Sequence, residues 1–170
     1  MEIRSRVAST YREIEELVAP VAPALTRERP GASSWSVHEI VDHLVESERR
    51  AARQLAQLLA GSSVDDPIPA GLQSPRPFGV EWHTLLDRFR GAHERILELL
   101  DSASDEPPLA ATAPVELVVK CASPDGTLEP VHWFERLDWK AYAIVIHMHN
   151  REHIGQVQRI LESPGRASVQ

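Results

Sequence analysis

Three of the eight histidines in this 170-residue chain fall within HMHNREHIGQ, residues 147–156. A neutral imidazole binds divalent cations, and it exchanges protons near neutral pH, so this cluster is equipped for either chemistry. Helical periodicity decides which rings turn inward. At 100° per residue, Trp139, Ala143, Ile146, Val157, Ile160 and Leu161 cluster within about 60° of one direction, the core face. Asn150 lies about 20° from the centre of that stripe, His153 about 40° and His149 about 80°, the two histidines on one flank. His147 falls on the opposite flank. For one turn, therefore, the apolar stripe is replaced by His149, Asn150 and His153.

A buried polar group without a partner costs about 1–3 kcal/mol. Two histidines at i and i+4 can meet that cost as a bidentate clip for a divalent cation. They can also be ordinary hydrogen-bonded residues at the core boundary, and spacing alone leaves both readings open. A third ligand would favour the clip. His43, in WSVHEIVDHLVESE, lies about 120° from the centre of its own stripe, where a side chain reaches across a groove toward a neighbouring helix. Glu48 and His93 each fall within about 20° of a stripe centre. Each could be a ligand, an acceptor for a ligand's ring N–H, or a satisfied core polar group. His38, His83, His132 and His147 carry no such argument and are read as surface or loop residues.

Four helical segments separated by Pro-rich breaks must position these side chains. The first runs roughly from Glu2 to Leu25, with Pro20 and Pro23 expected to kink or end it. The second begins at Ser36, with Glu39 completing a capping box, and ends at Gly61. The third extends from about Val80 to Leu100 and the fourth from about Asp138 to Glu162, where Pro164 and Gly165 stop it. Between these last two helices lies a long connection, 101–136. Within it VELVVKCA, bounded by Pro114 and Pro124 and followed by the Asp125–Gly126 turn signal, permits a short strand or hairpin. The expectation is a single all-α domain over residues 1–170, a four-helix bundle with a long connection before the last helix.

SSWSVHEIVDHLVESE resembles the second-helix signature of the DinB-like (DinB/YfiT) superfamily. There a Trp-Ser pair caps the helix and a later His-Leu supplies the first metal ligand. HNREHIGQVQRIL resembles that family's last-helix signature, in which two histidines four apart precede a Gly-Gln element. The resemblance implies an up-down-down-up four-helix bundle whose three-histidine site holds a divalent metal, zinc or nickel. Carried onto this chain, the ligands are His43, His149 and His153. Gly155 would allow close helix packing, and Gln156 would hydrogen-bond near the site rather than bind metal.

Three neutral imidazoles leave an open coordination position, the mark of a catalytic rather than a structural ion. The resemblance implies a transferase or isomerase using a low-molecular-weight thiol such as bacillithiol, mycothiol or glutathione, held as thiolate to attack an electrophile. A metal-dependent hydrolase is the alternative, with Glu46, Glu48 or Glu152 as base and none singled out. A non-enzymatic metal-binding stress or dimerisation protein is a further reading, and a metal-free helical scaffold the last.

Composition narrows the field. The chain is 42% hydrophobic and 25% charged, with a formal charge of -7. An acidic excess without a basic stripe argues against nucleic acid or an anionic membrane as partner. A small-molecule substrate and a homodimer remain. The one cysteine, Cys121, forms no intrachain disulfide, and it is read as a loop residue rather than a nucleophile. MEIRSRVASTYREIEEL lacks a signal-peptide core, and no apolar run reaches about 18 residues, so the cytoplasm is the expected location.

Overall fold

In the computed structural model, residues 2–103, 110–123 and 125–163 are described. Pro124, Pro164 and Gly165, read above as boundary residues, lie outside them. Four long helices dominate: α1 (Glu2–Val18), α3 (Val37–Leu59), α4 (Trp82–Ser102) and α5 (Trp139–Glu162). A four-residue helix, α2 (Pro23–Thr26), follows α1. The first segment is therefore two helices rather than one. The α1 ladder stops before Pro20, and Pro23 opens α2 at a helix start, where its missing N–H is no loss.

The all-α expectation is corrected in the long connection, where the strand or hairpin allowed there is present as β1 (Ala113–Ala122) and β2 (Leu128–Leu137). They form a two-stranded antiparallel hairpin with Leu117 opposite Trp133 and Val119 opposite Val131. At the turn Gly126 adopts φ 84°, a conformation open to glycine, and the Asp125 carboxylate accepts from the Thr127 N–H at 3.0 Å. The bounds of the second strand were not legible in the sequence, because Pro130 and its charged neighbours mask the alternation. An edge position tolerates that proline.

Cross-helix contacts fix the bundle's directions. Glu13 and Arg6 of α1 meet Arg151 and His147 of α5, so these helices run parallel. His38 and Glu48 of α3 meet Trp82 and His93 of α4, again in parallel. Gln54 contacts Tyr142 and Glu48 contacts Asn150, so α3 and α5 are antiparallel. Arg4 pairs with Asp101 and Glu15 with Arg90, so α1 and α4 are antiparallel too. The order is up-down-down-up.

The interior has two apolar clusters. One is built around Ile14, Val41, Leu44, Phe89 and Val157. The other contains Val7, Leu55, Leu58, Ile96 and Ile146, and the base of the hairpin packs on it through Ala113. Among the described residues, no helix is long and apolar enough to cross a membrane.

Candidate metal centre

The position of His43 is set at the start of α3. Ser36 caps the helix: its Oγ accepts from the Glu39 N–H at 3.3 Å, and the Glu39 carboxylate accepts from the Ser36 N–H at 2.9 Å. Arg29 pairs with the same carboxylate. The loop after α3 returns along this end of the helix. Gln73 donates to the Glu39 carbonyl at 3.2 Å, and the Ser74 N–H donates to Asp42 at 2.8 Å. This brings the Leu72 carbonyl to 2.6 Å from His43 Nδ1.

A carbonyl only accepts, so Nδ1 of His43 carries the proton and Nε2 keeps its lone pair. On α5, His153 Nδ1 lies 3.0 Å from Gln156 Oε1, which assigns the same tautomer. Both Nε2 atoms face His149 Nε2, at 3.0 Å from His43 and 3.1 Å from His153. One N–H on His149 can serve only one of these two acceptors, so at least one lone pair has no proton to meet. Among the described residues, His43, His149 and His153 form a group whose ligand atoms all lie within 4.8 Å of one another. Tetrahedral coordination at Zn–N 2.0–2.1 Å would separate the nitrogens by about 3.3 Å, so the donor set fits a divalent ion after shifts of a few tenths of an ångström.

Burial disfavours charge on these rings. It pushes His149 down to about 3, with His43 nearby adding to the effect. Burial, followed by the other two imidazoles, takes His153 well below its ordinary value, and burial lowers His43 as well. The neutral, ligand-competent forms therefore persist at physiological pH. Trp35 walls one side, its ring centroid 5.0 Å from that of His43 and 6.3 Å from that of His153, stacked on the latter.

The other sequence candidates separate. Glu48 is 2% exposed and engaged with Asn150 and His93 in the bundle interior. Glu46 lies 3.5 Å from Arg49, and exposed Glu152 accepts from Gln156 at 3.4 Å. Gly155 does not serve close helix packing: a Cβ there would meet the flexible Arg159 side chain of its own helix, at 3.4 Å. Cys121 is exposed on the hairpin. Sequence reading missed the Leu72 carbonyl, which no side chain signals, and the contact of Trp35 with the imidazoles.

His38 is corrected from surface to interior, at 0% exposed. The loop after α3 folds Phe78 over it, and Trp82 closes the other side, with ring centroids at 5.4 and 5.6 Å. Burial lowers its pKa below 6.5. The unfolded chain then binds a proton below about 6.5 that the native fold resists, so stability present above that value falls as pH drops. Replacing His38 with Gln should flatten this decline. Urea midpoints for both proteins between pH 7.5 and 5 measure it, and parallel declines would refute it.

Neutral imidazoles from antiparallel helices, converging in an up-down-down-up bundle, define a class of helical proteins with a trihistidine cluster. Residues 6–157 match the DinB superfamily, and the chain belongs to that family. No curated protein matches it. Among solved structures it is similar to YfiT from Bacillus subtilis, described as a probable metal-dependent hydrolase with an unusual four-helix bundle topology. The TM-score is 0.64 at 14% identity, covering 96% of this chain and 86% of that one. At that identity the likeness speaks for the fold.

Proposed function

We propose that this protein is a divalent-metal-dependent enzyme with His43, His149 and His153 as ligands, and that it transfers a low-molecular-weight thiol to an electrophilic small molecule. The observation that carries the metal reading is the convergence of three Nε2 atoms with too few protons to satisfy one another. An ion held there, zinc or nickel, supplies Lewis acidity that lowers the pKa of a thiol or water in the remaining position.

The protein's own residues do the rest. Leu72 and Gln156 fix two ring orientations, which presents lone pairs rather than N–H groups to the centre. Trp35 excludes water from one side and offers a flat apolar wall to a substrate. The thiol reading is favoured over hydrolysis by the carboxylates. Glu48 is committed in the interior, and Glu46 and Glu152 are engaged with Arg49 and Gln156. A thiol ionises readily beside a cation and needs no protein base, whereas water activation gains from one. Hydrolysis remains the second reading because YfiT is described as a probable metal-dependent hydrolase.

The experiment is a Co²⁺-substituted sample titrated with bacillithiol, mycothiol and glutathione, followed by turnover of an electrophile panel with and without each thiol. A thiolate charge-transfer band and thiol-dependent turnover are expected. Thiol-independent ester or amide cleavage would favour the hydrolase. A sample that takes up no Co²⁺ would end both readings.

A further inference from the structure

In the interior, four buried side chains, one from each long helix, lie together: Tyr11 from α1, Glu48 from α3, His93 from α4 and Asn150 from α5. Their exposures are 3, 2, 4 and 0%. Glu48 is the hub. Its Oε1 accepts from Asn150 Nδ2 at 2.8 Å, and its Oε2 lies 3.1 Å from His93 Nε2. The Tyr11 ring stacks on His93 at 3.7 Å and 6°, and its buried hydroxyl has no hydrogen-bond partner among the described residues. One carboxylate thus faces polar groups from α4 and α5, and Tyr11 of α1 backs the His93 ring.

We propose that Glu48 is a positioning residue for the three-histidine centre and acts through Asn150. This rests on the metal reading given above. Asn150 follows His149 directly and precedes His153 by three residues, so whatever holds Asn150 holds both α5 ligands. Its Nδ2 also donates to the Ile146 carbonyl at 3.0 Å, which ties the side chain to its own helix. Rotation of α5 is then locked to α3, the helix that carries His43. The leverage is large: a 20° rotation moves a side-chain tip about 6 Å from the helix axis by ~2 Å, whereas metal–ligand distances tolerate about 0.2 Å.

Stability alone does not account for the arrangement. A buried carboxylate network is often matched or exceeded in stability by apolar residues of similar volume, and its better-attested use is to fix one geometry among several. His93 lies against Oε2 and leaves Oε1 turned to α5.

The test uses the full chain and Zn²⁺ or Co²⁺ alone. Glu48→Met keeps a similar length and volume but removes the oxygen that Asn150 needs as an acceptor. Zn²⁺ affinity, measured by competition with a chromophoric chelator, is expected to fall about 10–100-fold. The Co²⁺ visible spectrum should change in band position and intensity, which a loss of stability alone would not produce. Asn150→Leu removes the donor at a similar volume; it keeps the proposal testable if Glu48→Met does not fold, and a comparable loss of affinity is expected. Affinity and spectrum equal to wild type in the folded variants, with only the melting temperature lowered, would overturn the positioning role. Wild-type protein that binds no ion would instead overturn the metal reading beneath it.

Discussion

Wild-type protein purified without chelator should carry close to one divalent ion per chain, and His149→Ala should carry almost none. His149 Nε2 is the shared contact of the other two imidazoles, so its loss removes a ligand and the link between helices together. Binding free energies of about 10–16 kcal/mol for structural zinc sites imply some 3 kcal/mol per ligand, or ~10² in affinity. The same experiment reads out in stability. An ion at about 100 times its dissociation constant adds roughly 2.7 kcal/mol to the wild type. For a chain of this size that is about 5–10 °C in melting temperature. The shift should vanish in His149→Ala, and the metal-free forms of the two proteins should melt close together. Elemental analysis and paired melts with and without Zn²⁺ measure both. A variant that retained the ion at wild-type affinity would remove His149 from the site.

The second large effect concerns the core beneath the site. Phe89 is fully buried, packs among Leu44, Val41 and Val157, and meets the His93 ring edge-on at 3.8 Å. Phe89→Ala should cost about 3–5 kcal/mol through lost transfer energy and the cavity left behind. That is a large share of a typical total of about 5–15 kcal/mol, equivalent to roughly 10 °C. Urea unfolding with an unchanged slope is the measurement, and Phe89→Leu should lose much less. A loss below about 1 kcal/mol would show that this interior collapses around the gap more readily than its packing implies.

Helix existence was plain in the residue pattern because it is local. The Ser36–Glu39 capping box set the start of α3 to the residue, and the apolar stripes marked the inward faces. The break in the α5 stripe pointed to His149, Asn150 and His153 for the same reason: a helix wheel needs no tertiary information. The interiors of Glu48 and His93 were signalled by their places at stripe centres, although not what each would meet there. His38 was misplaced because its burial comes from Phe78, which a wheel drawn for α3 alone cannot include. The hairpin was legible only as an alternative to a single strand, because a hairpin is stabilised by its partner across the ladder rather than by its own alternation.

The order of residue types along the chain thus determined the four long helices, their caps, their inward faces and the two histidines one turn apart on α5. Tertiary structure alone decided that His43, 106 positions before His149, would come within 3.0 Å of it. It also decided that a loop carbonyl at Leu72 would set the tautomer, and that one carboxylate would meet polar groups from two other helices. The division has a physical cause. Periodicity and capping depend on neighbours within a few residues, whereas convergence depends on how rods pack and in which direction each runs, and that choice is made by the whole interior at once.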